Sequence, residues 1–138
     1  MKKLVILLLT LAVIPATQSC KKKKKNSGPS AEEILTDGDW NYTKEEYYDA
    51  AGNLTNTYQI NHIVKFKSDG TYERYDANQQ LLTSGTWELK DNDSKIRIVH
   101  SNGSFDTTFD IVKLEDSEFI YEWINPQVGN KIKFYHER

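Results

Sequence analysis

The chain has 138 residues, with one cysteine, three histidines and a formal net charge of −2. That length fits one small domain around a single core, and a lone cysteine excludes an internal disulfide framework. All 20 acidic residues lie from Glu32 onward, against 11 basic residues beyond Lys25, a net of −9 that argues against a nucleic-acid partner.

Met1-Lys2-Lys3 precedes an apolar run, Leu4 to Ile14, and then Pro15-Ala16-Thr17-Gln18-Ser19-Cys20. That is the order of a basic n-region, an h-region and a small-residue cleavage zone. The run is shorter than the roughly 20 apolar residues that cross a bilayer. A secreted chain with one leftover thiol needs a role for it. The segment resembles a bacterial lipoprotein signal, although Thr17 and Gln18 depart from the usual pattern before the cysteine. The resemblance implies that residues 1–19 are removed and that Cys20 becomes the acylated first residue. Ordinary secretion with a free terminal thiol is the alternative. Lys21 to Lys25 and Asn26-Ser27-Gly28-Pro29 complete a polybasic flexible tether over residues 20–29. One acyl chain binds a membrane marginally, and each lysine near an anionic surface adds about 1 kcal/mol.

Residues 30–138 form the expected domain. Ser30 and Glu33 have capping-box spacing and predict a short helix over Ala31 to Leu35. Short segments of period 2 follow, separated by turn signals. They predict strands at Trp40–Tyr48, Tyr58–Lys67, Thr71–Asp76, Leu81–Leu89, Lys95–His100, Ser104–Lys113, Ser117–Ile124 and Lys131–Glu137. The fold class is therefore all-β: an eight-stranded antiparallel meander that closes into a small barrel.

Turn chemistry fixes the faces. Ser68-Asp69-Gly70 suits a three-residue hairpin loop and sets Phe66 opposite Tyr72, Val64 opposite Arg74 and His62 opposite Asp76. Asn102-Gly103 sets His100 opposite Phe105, Ile98 opposite Thr107 and Ile96 opposite Phe109. Tyr72 falls opposite Gly85, where a missing side chain leaves room for rings. Trp87 and Leu89 continue the inward face. Phe119, Tyr121 and Trp123 alternate, as do Ile132, Phe134 and His136.

Gly38-Asp39-Trp40 directly follows the short helix and resembles the G-x-W signature of lipocalins. Phe66-Lys67-Ser68-Asp69-Gly70-Thr71-Tyr72 and Ser84-Gly85-Thr86-Trp87-Glu88-Leu89 are similar to the lipocalin-like domains of Gram-negative lipoproteins. The resemblance implies a lipocalin-like barrel closed at one end by the helical turn and Trp40, with a hydrophobic ligand reaching the other end. It also implies a basic residue across the tryptophan, for which Lys133 and Arg138 are the candidates. Lys133 alternates out of phase with Ile132 and Phe134. The implied location is the cell envelope, lipid-anchored, on the outer membrane of a Gram-negative bacterium.

Chemistry-bearing motifs are sparse. No nucleophile elbow, phosphate loop or metal-ligand spacing is present, so the chain reads as a non-enzyme without cofactor. His62 and His100 fall three strands apart, at about 4.8 Å per strand, too far to share one ion. With strands alternating up and down from Trp40, the inward positions near the mouth are Lys44, Glu46, His62, Arg74, Asp76 and His100. Tyr42, Phe66, Tyr72 and Trp87 lie deeper. An apolar floor under an ionisable mouth is the anatomy of a small-molecule site, and Arg74 would suit an amphipathic acid. The alternative is that these charges form ordinary cross-strand pairs. The expected function is a membrane-anchored, non-catalytic binder of a small apolar or amphipathic molecule. A solid core would instead indicate a protein-interaction module, an inhibitor or envelope scaffold whose partner is unknown.

Overall fold

The computed structural model describes residues 28–138. The expected signal segment, Cys20 and the lysine run lie outside the described residues. One short helix, α1 (Ala31–Thr36), precedes eight strands: β1 (Trp40–Tyr48), β2 (Leu54–Phe66), β3 (Thr71–Tyr75), β4 (Leu81–Lys90), β5 (Lys95–His100), β6 (Asp106–Glu115), β7 (Glu118–Ile124) and β8 (Lys131–Glu137). Each strand pairs antiparallel with the next, and β8 pairs with β1 to close the barrel.

The local signals act as expected. The Ser30 hydroxyl accepts from the Glu33 N–H at 3.2 Å, and the Glu33 carboxylate accepts from the Ser30 N–H at 2.7 Å. Gly70 adopts φ +81° in the β2–β3 loop, where a side chain would be strained. The derived registers hold: Phe66 faces Tyr72, Val64 faces Arg74, Tyr72 faces Gly85, and Ile96 faces Phe109.

Two differences have physical causes. Strand β2 begins at Leu54, four residues before the expected Tyr58. The Asp49 carboxylate accepts from the N–H groups of Ala51 and Asn53, which tightens the β1–β2 turn. The exposed segment from Leu54 to Thr57 then pairs with the end of β1 without any apolar alternation to announce it. Asp76, expected at an inward position near the mouth, does not line the barrel interior: its carboxylate accepts from the Asn78 and Gln80 N–H groups at 2.8 Å and builds the β3–β4 turn.

A register shift lies between Tyr42 and Lys44 in both pairings of β1. It inverts the phase of the strand beyond Tyr42, as a bulge does. Lys44 and Glu46 therefore point outward, which corrects their expected place at the inner mouth. Outside, the Glu46 carboxylate accepts from Lys44 at 2.7 Å, from Tyr48 at 2.6 Å and from Tyr135. Burial pushes the Glu46 pKa up, but these donors outweigh it and hold the group at about 2. Glu45 takes the inward position instead.

The closed end is solid. Leu35, Trp40, Val64, Phe66, Ile96 and Phe119 are buried there, each contributing about 1.5–3 kcal/mol or more by leaving water. The Trp40 indole N–H donates to the Leu35 carbonyl at 3.0 Å, which ties α1 across the barrel end. Arg138, one residue beyond β8, lies over the Trp40 ring at 4.0 Å and donates to the carbonyls of Ile34 and Asp116. Arg138 is thus the closure residue. Lys133 faces outward, 3.9 Å from Glu122.

Candidate functional site

Above the closed-end core lies a cavity of about 450 Å³. Strand β1 contributes Tyr42 and Glu45, β2 Val64, β3 Tyr72 and Arg74, and β5 Ile98 and His100. Phe105 follows, with Thr107 and Phe109 from β6, Tyr121 and Trp123 from β7, and Ile132, Phe134 and His136 from β8. No side chain of β4 lines it. The inward position between Tyr72 and His100 on that strand is Gly85. The Tyr72 and His100 rings lie parallel on either side, 6.2 Å apart. The space at Gly85 is not a void, however: a Cβ there would meet the Val99 carbonyl oxygen at 1.8 Å. Glycine is required by the close approach of β5.

Of the residues expected to line a pocket, Tyr42, Tyr72 and Arg74 do so. Phe66 and Trp87 do not. They pack edge to face at 5.6 Å in the closed-end core, and the Trp87 indole donates to the Lys67 carbonyl at 3.0 Å. His62 sits beside the site, its ring 6.1 Å from Tyr42, without lining the cavity. The sequence reading missed Glu45, hidden by the bulge. It read the inward alternation of Tyr121, Trp123, Ile132, Phe134 and His136, but the period of 2 does not tell floor from wall. These rings form most of the wall: Tyr121 stacks on Phe134 at 5.0 Å, and Phe109 meets both at 4.8 and 5.4 Å.

Two charged side chains line the cavity, Glu45 and Arg74. The Glu45 carboxylate accepts from the hydroxyls of Tyr42 and, at 2.7 Å, Tyr47. Burial, then Tyr121 and the Glu45 bond, push the Tyr42 phenol far up. Burial and Glu45 push Tyr47 up to about 12, so both remain protonated donors. Arg74 makes no ion pair among the described residues, and its Nε is buried without a protein partner. Burial, and then the Arg74 charge, lower the pKa values of His62 and His100. His136 is fully buried, and neither ring nitrogen makes a hydrogen bond of good geometry. Burial pushes it down to about 3, with the backbone of Phe119 and Phe134 partly opposing, so the imidazole is neutral.

A comparison with protein families matches residues 32–138 to DUF4822, a domain of unknown function. The chain belongs to this family. The DUF4822 region starts within α1 and ends at Arg138, so it takes in Trp40, its covering arginine and every cavity residue. No match appears among curated proteins. The DUF4822 fold here is an eight-stranded antiparallel closed barrel, consistent with a lipocalin-like one.

In this DUF4822 chain, no group of three or more metal-ligating side chains occurs among the described residues. The three histidines hydrogen-bond no other side chain among the described residues, and the Tyr42 hydroxyl is the lining group that a carboxylate, Glu45, accepts from. The arrangement can hold an apolar body among rings and offer it one cation. Around the mouth, Leu54, Leu81, Leu82, Ile124 and Val128 expose apolar side chains. They sit at strand ends or in a loop on the side opposite α1.

Proposed function

We propose that this is a non-catalytic, lipid-anchored lipoprotein of the Gram-negative cell envelope that binds a small apolar or amphipathic molecule in its barrel. One observation carries the reading: a cavity of about 450 Å³ walled by aromatic rings, within the range of small-molecule sites. The Trp40–Arg138 closure and the G-x-W segment support kinship with lipocalin-like lipoproteins. Residues 28–30 lead into α1 at the closed end. A lipid at Cys20 would therefore tether the domain through its closed end.

Tryptophan emission tests the reading. Trp123 lines the cavity whereas Trp87 is packed below it, so Trp123, not the expected Trp87, is the reporter. An apolar ligand shifts or quenches the emission of the Trp87→Phe variant and leaves that of Trp123→Phe nearly unchanged. Equal responses in both variants would count against a cavity site. A second reading, a protein-interaction module, is favoured by the exposed apolar rim at Leu81, Leu82 and Ile124. It predicts that Leu81→Lys abolishes activity in the host while small-molecule binding is absent.

A further inference from the structure

We propose that the cavity selects amphipathic carboxylic acids as their anions, the carboxylate pairing with Arg74 and the apolar body lying against the rings of Phe109, Tyr121 and Phe134. This rests on the binding reading above and adds the chemical class of ligand.

The charge inventory of the cavity leads to it. Arg74 enters the cavity from β3, between Val64 on β2 and Thr83 on β4. Neither neighbour can neutralise it. Among the described residues no carboxylate lies within ion-pair distance of the guanidinium, and Nε is buried without a protein partner. Glu45, the one acid in the lining, is engaged by two tyrosine hydroxyls. A partly buried cation without a counter-ion is unfavourable and is kept where a binding or catalytic role needs it.

The field of Arg74 reaches across the site. It is among the causes that lower the His62, His100 and His136 pKa values, after burial in each case. With those imidazoles driven toward neutrality, Arg74 stands as the single full positive charge facing the cavity. One guanidinium matches one monoanion, and its planar fork suits a carboxylate bidentately. A phosphate dianion would call for a second cation, and the lining offers none. The rest of the wall is predominantly apolar and aromatic, which demands an apolar body behind the anionic head.

The probes are decanoate and decanol, which share a chain and differ in charge. Binding to the purified full-length protein is read by tryptophan emission and by calorimetry at neutral pH. The wild type binds decanoate at least about tenfold more tightly than decanol, a difference of about 1.4 kcal/mol. Arg74→Gln loses that preference and Arg74→Lys keeps part of it, with decanol affinity changed less than about threefold in either. Equal affinity of the wild type for acid and alcohol overturns the anion selectivity and leaves the cavity reading standing. That comparison needs no variant, so it decides the matter even if Arg74→Gln misfolds. Failure of every acid and alcohol from octyl to tetradecyl to bind overturns both readings together.

Discussion

Tyr42 and His136 face each other across the β1–β8 seam, their rings stacked at 4.6 Å with planes 9° apart. The pair fills the point where the meander closes on itself. His136 reaches it as a fully buried neutral imidazole, also stacked on Tyr121 at 5.1 Å. A polar ring used as a hydrophobic one makes the closure sensitive to acid.

The sign follows from proton binding. In the folded chain burial holds His136 at about 3, against an ordinary 6.5. Between those values the unfolded chain binds a proton that the folded chain does not. Stability therefore falls as pH drops below about 6.5, with a limiting slope of about 1.4 kcal/mol per pH unit. His62 and His100, also lowered, act in the same direction. Urea unfolding at pH 7 and pH 5 should show a loss of roughly 2 kcal/mol from His136 alone. His136→Phe should flatten that dependence. An unchanged slope in the variant would place the acid sensitivity elsewhere.

Removal of Arg138 should open the closed end. Its guanidinium covers Trp40 at 4.0 Å, donates to two carbonyls and lies 3.5 Å from the Asp37 carboxylate. Arg138→Ala is expected to lower stability by about 1–3 kcal/mol in urea titration. Arg138→Lys should recover the cation but not both carbonyl bonds, and so fall between. Full stability in the alanine variant would remove the arginine from the closure.

Gly85 is held by backbone, not by rings. A Cβ there would lie 1.8 Å from the Val99 oxygen and 2.9 Å from the His100 Cα. Gly85→Ala should force β4 and β5 apart and lower stability by about 3 kcal/mol. A leucine should do worse, since the collision begins at the first carbon. A neutral alanine variant would show that the two strands have freedom to separate.

Cys20 is expected to carry the lipid. Cys20→Ser should leave an unprocessed precursor or release the domain from membranes, read by mass and by fractionation of host cells. Lys21–Lys25 changed to glutamine should weaken attachment only modestly. Normal mass and normal fractionation of Cys20→Ser would rule the anchor out.

Much of this barrel was legible before any tertiary structure. Ser68-Asp69-Gly70 and Asn102-Gly103 are local instructions, and each set its hairpin register, Phe66 to Tyr72 and Ile96 to Phe109. The alternation in β7 and β8 likewise marked Phe119, Tyr121, Phe134 and His136 as inward. Turn type and side-chain period are properties of a few neighbouring residues, so they can be read from the chain directly.

The tertiary structure alone decided which inward residues meet a cavity and which are packed solid. The bulge beyond Tyr42 turned Lys44 and Glu46 outward and Glu45 inward. It lies in the pairing of β1 with both β2 and β8, and nothing local to Thr43 announces it. Depth followed the same logic. Phe66 and Trp87 sank into the floor while Trp123 and Phe134 rose into the wall. Facing in or out is a local alternation. Height along a barrel depends on strand tilt and stagger, which are fixed only when the last strand closes on the first.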